Sequence, residues 1–209
     1  MTEILPYLAS GTVLGVIAGF MPSPLTTLVI TETLQHNKRQ GVIVASVPLI
    51  TDAPIIIGSL FVLSRLTEFN AVLGVISLLG AIFLVRLACK TFSVRGVELD
   101  TDALKPDSLR KGVITNFLNP NPYLFWATIG GPMILQGYGI SWVAVAAFLG
   151  TFFFFVIGVK MFLAVIVERC KTFMNSRTYI YILRGMGALL LVFSGIFAKD
   201  GLKLLGAIP

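Results

Sequence analysis

The chain is written as long apolar runs separated by short polar breaks, and runs of that length leave it few folds to choose from. A helix that crosses the hydrocarbon core of a bilayer needs about 20 apolar residues. Such runs are predicted at Leu5–Leu34, Gly41–Ser64, Ala71–Lys90, Gly112–Leu135, Ser141–Val167 and Ile180–Leu205. Together they predict an all-α membrane protein with six spans.

Composition excludes the soluble alternative. Hydrophobic residues make up 56% of the chain and charged residues 12%, with a mean hydropathy of +0.91. A soluble domain averages about a quarter charged residues, and that polar surface keeps it dissolved. The net charge of +6 and pI near 9.6 would fit a nucleic-acid partner, but the basic residues stand mainly in short connections, where membrane topology accounts for them. The expected partners are a small-molecule substrate and lipid, without nucleic acid, and homo-oligomers are left open. Cys89 and Cys170 fall near span ends and form neither a metal spacing nor a disulfide framework. No nucleophile–base pair or phosphate loop marks an enzyme, and no cofactor is expected.

Orientation follows from Lys and Arg in the short loops. Lys38, Arg39, Lys90, Arg95, Lys105, Arg110, Lys111, Arg169, Lys171 and Arg177 fall on one side, against Arg65, Lys199 and Lys203 on the other. The basic side should be cytoplasmic and both termini extracytoplasmic, in a cell inner (plasma) membrane. The first run starts with Glu3 nearby rather than a basic cluster and outlasts a signal peptide, so it is expected to be a retained span.

Two of the runs carry paired prolines at matching places. The first reads Gly19-Phe20-Met21-Pro22-Ser23-Pro24 and the fourth Phe117-Leu118-Asn119-Pro120-Asn121-Pro122. Proline removes a helix hydrogen bond and clashes with the preceding turn, so each motif should open its helix and free carbonyls that lipid cannot satisfy. Each motif begins a three-span half, and an odd number of spans forces the second half to insert upside down. The expected architecture is therefore two inverted three-helix repeats with a Pro-broken first helix in each, the pattern that marks a transporter site near the midplane. The halves are 1–92 and 112–209, joined by a polar cytoplasmic linker at 93–111 that carries Glu98, Asp100, Asp102 and Asp107.

Charges at that depth are costly and mark a pathway or a pair. Asp52 in the second run and Lys160 in the fifth lie near the depth of the proline motifs, counted at about 1.5 Å per residue. They either neutralise one another or divide the work, Asp52 taking up protons and Lys160 receiving a substrate anion. Arg86 and Glu32 lie near enough to span ends to serve as anchors, and His36 is expected to be solvated. Gly11, Gly15 and Gly19, four apart, let a neighbouring helix approach closely, either as static packing or as a sliding surface. Phe152–Phe155 is expected to face lipid or pack, and the Tyr and Trp residues near the outer ends of the fourth and fifth runs suit an interfacial belt.

The stretch Arg110-Lys111-Gly112-Val113-Ile114-Thr115-Asn116-Phe117-Leu118-Asn119-Pro120 resembles the fourth-span signature of the lysine exporter (LysE/RhtB) family. Pro22-Ser23-Pro24 is similar to that family's Pro-Gly-Pro element, with Ser23 in place of Gly, and Asp52 falls where the family carries an acidic residue. Asn121 stands where Lys often follows Asn-Pro, and Arg86 and Lys160 are charges beyond the usual pattern. The resemblance covers nearly the whole chain and implies an exporter of amino acids or similar small metabolites driven by proton motive force.

The expected solute site comprises Pro22, Ser23, Pro24, Asn116, Asn119, Pro120, Asn121 and Lys160, with Asp52 as the proton-coupling group and no metal. A divalent-cation exporter is the nearest alternative, but carboxylates are scarce and Lys160 repels a cation. A transmembrane thiol-disulfide electron carrier would need cysteine at each break, where Ser23 and Asn121 stand. A scaffold without transport would leave the paired breaks unexplained.

Overall fold

The computed structural model describes residues 3–62, 66–92, 107–171 and 176–207, and among these every regular element is a helix. Four helices are long and apolar enough to cross a membrane, Lys38–Leu60, Leu73–Phe92, Trp142–Lys171 and Ile180–Leu204. A fifth crossing is available if the bent pair Leu5–Phe20 and Pro24–Gln35, at 59° to one another, counts as one span. The chain is thus a multi-pass membrane protein.

The first predicted run is α1 (Leu5–Phe20) and α2 (Pro24–Gln35), broken where the prolines require it. The second is α3 (Lys38–Ala45) and α4 (Pro48–Val62), joined at Ser46–Val47. Then follow α5 (Leu66–Phe92), α9 (Trp142–Lys171) and α10 (Ser176–Leu204), each unbroken. The fourth run differs most from expectation. In place of one span it forms α6 (Ser108–Phe117), α7 (Pro120–Phe125), a π-helical turn (Trp126–Gly130) and α8 (Gly131–Ile140). Each piece is shorter than the roughly 20 residues a straight span needs. Part of the expected linker also lies elsewhere: Ser108–Lys111 already belongs to α6, and residues 93–106, with Arg95, Glu98, Asp100, Asp102 and Lys105, fall outside the described residues. Arg65 does as well.

Both breaks have the same local construction. Ser23 caps α2, its hydroxyl accepting from the Thr26 N–H at 3.2 Å, and Pro24 takes the first helical position. Asn119 caps α7, its side-chain oxygen accepting from the Asn121 N–H at 3.0 Å, and Pro120 follows. A short polar cap supplies the acceptor that the first turn lacks, and proline suits the next position because its missing N–H would be unpaired anyway. The matching units are therefore Ser23-Pro24 and Asn119-Pro120. Pairing the Pro-x-Pro motifs by eye sets Ser23 against Asn121, two residues out of register with the caps.

Between apolar helices in lipid, close van der Waals packing replaces the hydrophobic effect as the source of association. α1 lies along α9 through the glycine stripe. A Cβ at Gly15 would stand 2.6 Å from the Phe152 carbonyl oxygen, and one at Gly19 would stand 2.7 Å from Val159 Cβ. α5 lies along α10, where Gly74 and Gly201 face each other and the Ser194 hydroxyl donates to the Ala81 carbonyl at 2.9 Å. Large apolar side chains such as Ile57, Leu79, Ile82, Phe154 and Phe162 point outward, as a lipid-facing surface requires.

Candidate functional site

A cavity of about 430 Å³ lies between α1, α4, α7, the π turn and α9. Of the residues singled out in the sequence, Ser23, Asp52, Asn116, Asn119, Asn121 and Lys160 line it, and Pro122 with them. Pro22, Pro24 and Pro120 do not. Pro22 lies in the first break, while Pro24 and Pro120 start α2 and α7 and are buried; their role is to place the caps.

Asp52 sits on α4 between Pro48 and Pro54 and is 6% exposed. Its carboxylate accepts from Asn116 Nδ2 at 2.9 Å, from Trp126 Nε1 at 3.2 Å and weakly from the Thr51 hydroxyl at 3.5 Å. Asn116 Nδ2 also reaches Thr51 Oγ1 at 2.6 Å. The indole arrives from the π turn, where the Gly131 N–H bonds back five residues to the Trp126 carbonyl. Such a bulge re-aims side chains within a helix. Gly130 and Gly131 make room for it, since a Cβ on either would collide with Trp126.

Lys160, 3% exposed on α9, donates to Thr26 Oγ1 at 2.7 Å and to the Gly19 carbonyl at 3.4 Å. Thr26 Oγ1 in turn donates to the Met21 carbonyl at 3.1 Å. Across the cavity, the Tyr123 hydroxyl donates to the Phe117 carbonyl at 3.0 Å. Carbonyls opened by the two breaks are thus answered by side chains of the protein. Among the described residues no ion pair joins Asp52 to Lys160; both charges line one cavity and each is held by neutral groups.

Aromatic rings close the rest of the wall. Phe125 stacks on Phe152 at 5.0 Å, and Trp126 meets Phe152 edge-on at 5.2 Å. Phe152–Phe155 is therefore divided, with Phe152 in the wall and Phe154 outward. Tyr138 and Trp142, exposed and 4.7 Å apart, stand at the junction of α8 and α9. Trp126 turns inward, and its place near the middle of the fourth run was the available sign that it serves no interfacial belt.

A second polar cluster lies where α2, α6 and α9 end together. Glu32 is 1% exposed. Its carboxylate accepts from the Ser108 hydroxyl and pairs with Lys111 Nζ at 2.5 Å. His36 Nε2 stands 3.6 Å away, and the His36 carbonyl accepts from Lys171 Nζ at 3.0 Å. Burial lowers the imidazole pKa from its ordinary value, against the opposing pull of Glu32 and together with nearby Lys111, Lys171 and Lys90. Glu32 is thus no surface anchor and His36 is not simply solvated. Neither could be placed from the sequence because Glu32 finds its partners 76 and 79 residues away and His36 meets Lys171 from 135 residues away. Arg86 is exposed on α5, and Cys89 and Cys170 stand on α5 and α9, away from both breaks.

A family model described as LysE type translocator matches residues 16–201. The chain belongs to that family. The match includes both breaks, the cavity and the buried Glu32 cluster, and it bears out the resemblance carried by the Asn116–Pro120 stretch. No curated protein and no solved structure matches the chain. As a LysE type translocator with several apolar helices, the protein is a membrane transporter.

Proposed function

We propose that this translocator is a secondary exporter of amino acids or similar small polar metabolites, driven by proton motive force through alternating access. The observation that carries the reading is Asp52, a buried carboxylate on a cavity wall whose hydrogen-bond partners are all neutral. A carboxylate in that setting has no cation in direct contact, and a proton or a cationic group brought by the solute can take that place. Lys160 on the same wall disfavours a divalent cation as cargo.

Reciprocal packing supports two inverted three-helix halves. The broken helix of the first half packs on α9, the middle helix of the second; α4, in the middle of the first half, packs on the π turn and α6–α8. The two third helices, α5 and α10, pair with each other. A two-fold axis in the membrane plane requires these relations. Loop charge sets the basic end, with the Glu32–Ser108–Lys111 cluster, toward the cytoplasm and both termini outside. The cluster ties α2 to α6, and in this reading that tie would close the cytoplasmic side.

The experiment is flux of labelled amino acids in proteoliposomes, with and without an imposed pH gradient. The expected result is saturable, gradient-driven export that is lost in Asp52→Asn while the variant still inserts and unfolds at the wild-type temperature. Asp52→Asn flux with the same gradient dependence as wild type would remove the coupling role.

A further inference from the structure

We infer that the cavity selects zwitterionic amino acids with apolar side chains, taking the α-carboxylate at Lys160 and the α-ammonium at Asp52; the inference rests on the exporter reading above. Two buried charges of opposite sign line one cavity and do not meet. An ammonium has three donors. Lys160 spends two of them, on Thr26 and Gly19, both neutral. A carboxylate has about four acceptor positions, and Asp52 receives only Asn116, Trp126 and the long contact from Thr51. Each group therefore keeps a free position and has no counter-charge in contact. A buried charge without a partner is costly. A single ligand that carries both signs relieves both costs, whereas a simple cation or anion relieves one.

The remaining wall chooses the side chain. Ile17, Phe125, Phe152 and Val156 are apolar, and Asp52 and Lys160 are the ionisable side chains of the lining. A lysine-like or glutamate-like side chain would bring a third charge into a wall with nothing to pair it. At about 430 Å³ the cavity lies toward the small end of ligand pockets, which run from roughly 300 to 1,000 Å³.

The same geometry makes the solute and the proton mutually exclusive. The Asp52 carboxylate is the counter-ion of the bound ammonium. When Asp52 accepts a proton from the outer side it becomes a neutral acid, and the ammonium loses its partner and leaves. When the site next faces the cytoplasm, that proton departs to water and a new ammonium takes its place. One proton enters for each zwitterion that leaves.

The test is inhibition of labelled leucine export by unlabelled competitors in proteoliposomes carrying a pH gradient. Isoleucine should compete like leucine. Leucinamide, which lacks the carboxylate, 4-methylpentanoate, which lacks the ammonium, and lysine should each compete roughly ten- to a hundredfold more weakly, the loss expected for one hydrogen bond to a charged group. Lys160→Met, similar in length and apolar, should erase the difference between leucine and leucinamide while keeping the wild-type unfolding temperature. The wild-type competitor series stands without this variant. Lysine or leucinamide competing as well as leucine, or gradient-driven flux of lysine without leucine, overturns the selectivity and leaves export standing. No gradient-driven flux of any amino acid overturns both.

Discussion

Asp52 takes its hydrogen bonds from an indole and a carboxamide, with only a long contact from a hydroxyl, and the indole is the donor that sequence could not have assigned. Trp126 lies 74 residues from Asp52 and reaches it only because the helix widens into a π turn. Trp126→Phe keeps an aromatic ring against Phe152 and removes the N–H. A hydrogen bond to a charged group contributes about 1.5–3 kcal/mol, so gradient-driven flux should fall about tenfold or more while the protein remains folded. Flux at the wild-type rate would show that the indole only fills space. Asp52, Lys160 and Asn116, which line the cavity, were legible as candidates because a charged or strongly polar group within an apolar run needs a reason to be there. Thr26 and Thr51 were not, since threonine in such a run satisfies itself on its own helix, as the Thr51 hydroxyl does on the Val47 carbonyl at 3.0 Å.

Among the elements, the two breaks were the most legible, because proline lacks an N–H whatever surrounds it. Their register was not. Ser23 and Asn121 look equivalent between prolines, and only the caps reveal that Asn119 is the true counterpart of Ser23. The subdivision of the fourth run was also hidden, for hydropathy averages over breaks and a π turn has no simple composition. The glycine stripe on α1 gives a sharper expectation. A Cβ at Gly15 would meet the Phe152 carbonyl oxygen at 2.6 Å and Phe155 Cβ at 3.0 Å, and backbone cannot swing aside. Gly15→Ala should therefore destabilise by about 1–3 kcal/mol and lower the unfolding temperature in detergent. Gly158→Ala on α9, with nothing within 4 Å of the new methyl group, should be neutral or stabilising by up to about 1 kcal/mol. Equal effects at the two sites would mean that the α1–α9 contact is loose.

For the molecule as a whole, the Glu32 cluster ties α2 to α6 while the cavity lies between the two breaks and the π turn. Breaking a buried ion pair by removing one partner costs about 3–5 kcal/mol, and under the proposed alternating access that cost would fall on the form in which α2 and α6 are tied. Glu32→Gln should shift the population toward a form open at the basic end. In a background of Cys89→Ser and Cys170→Ser, the buried Thr115→Cys should then react with a maleimide about tenfold faster or more than with Glu32 intact; equal rates would mean that the cluster is not a closure. The unpaired Asp52 and Lys160 also have an electrical consequence. With a zwitterion bound the site carries no net charge, and with a proton in its place it carries one positive charge. In the proposed cycle the returning form is therefore the one that feels the membrane voltage, at about 2.3 kcal/mol for each 100 mV across the bilayer. A negative interior would draw the empty, proton-loaded carrier back on its own, so that export continues on voltage when the two sides stand at equal pH.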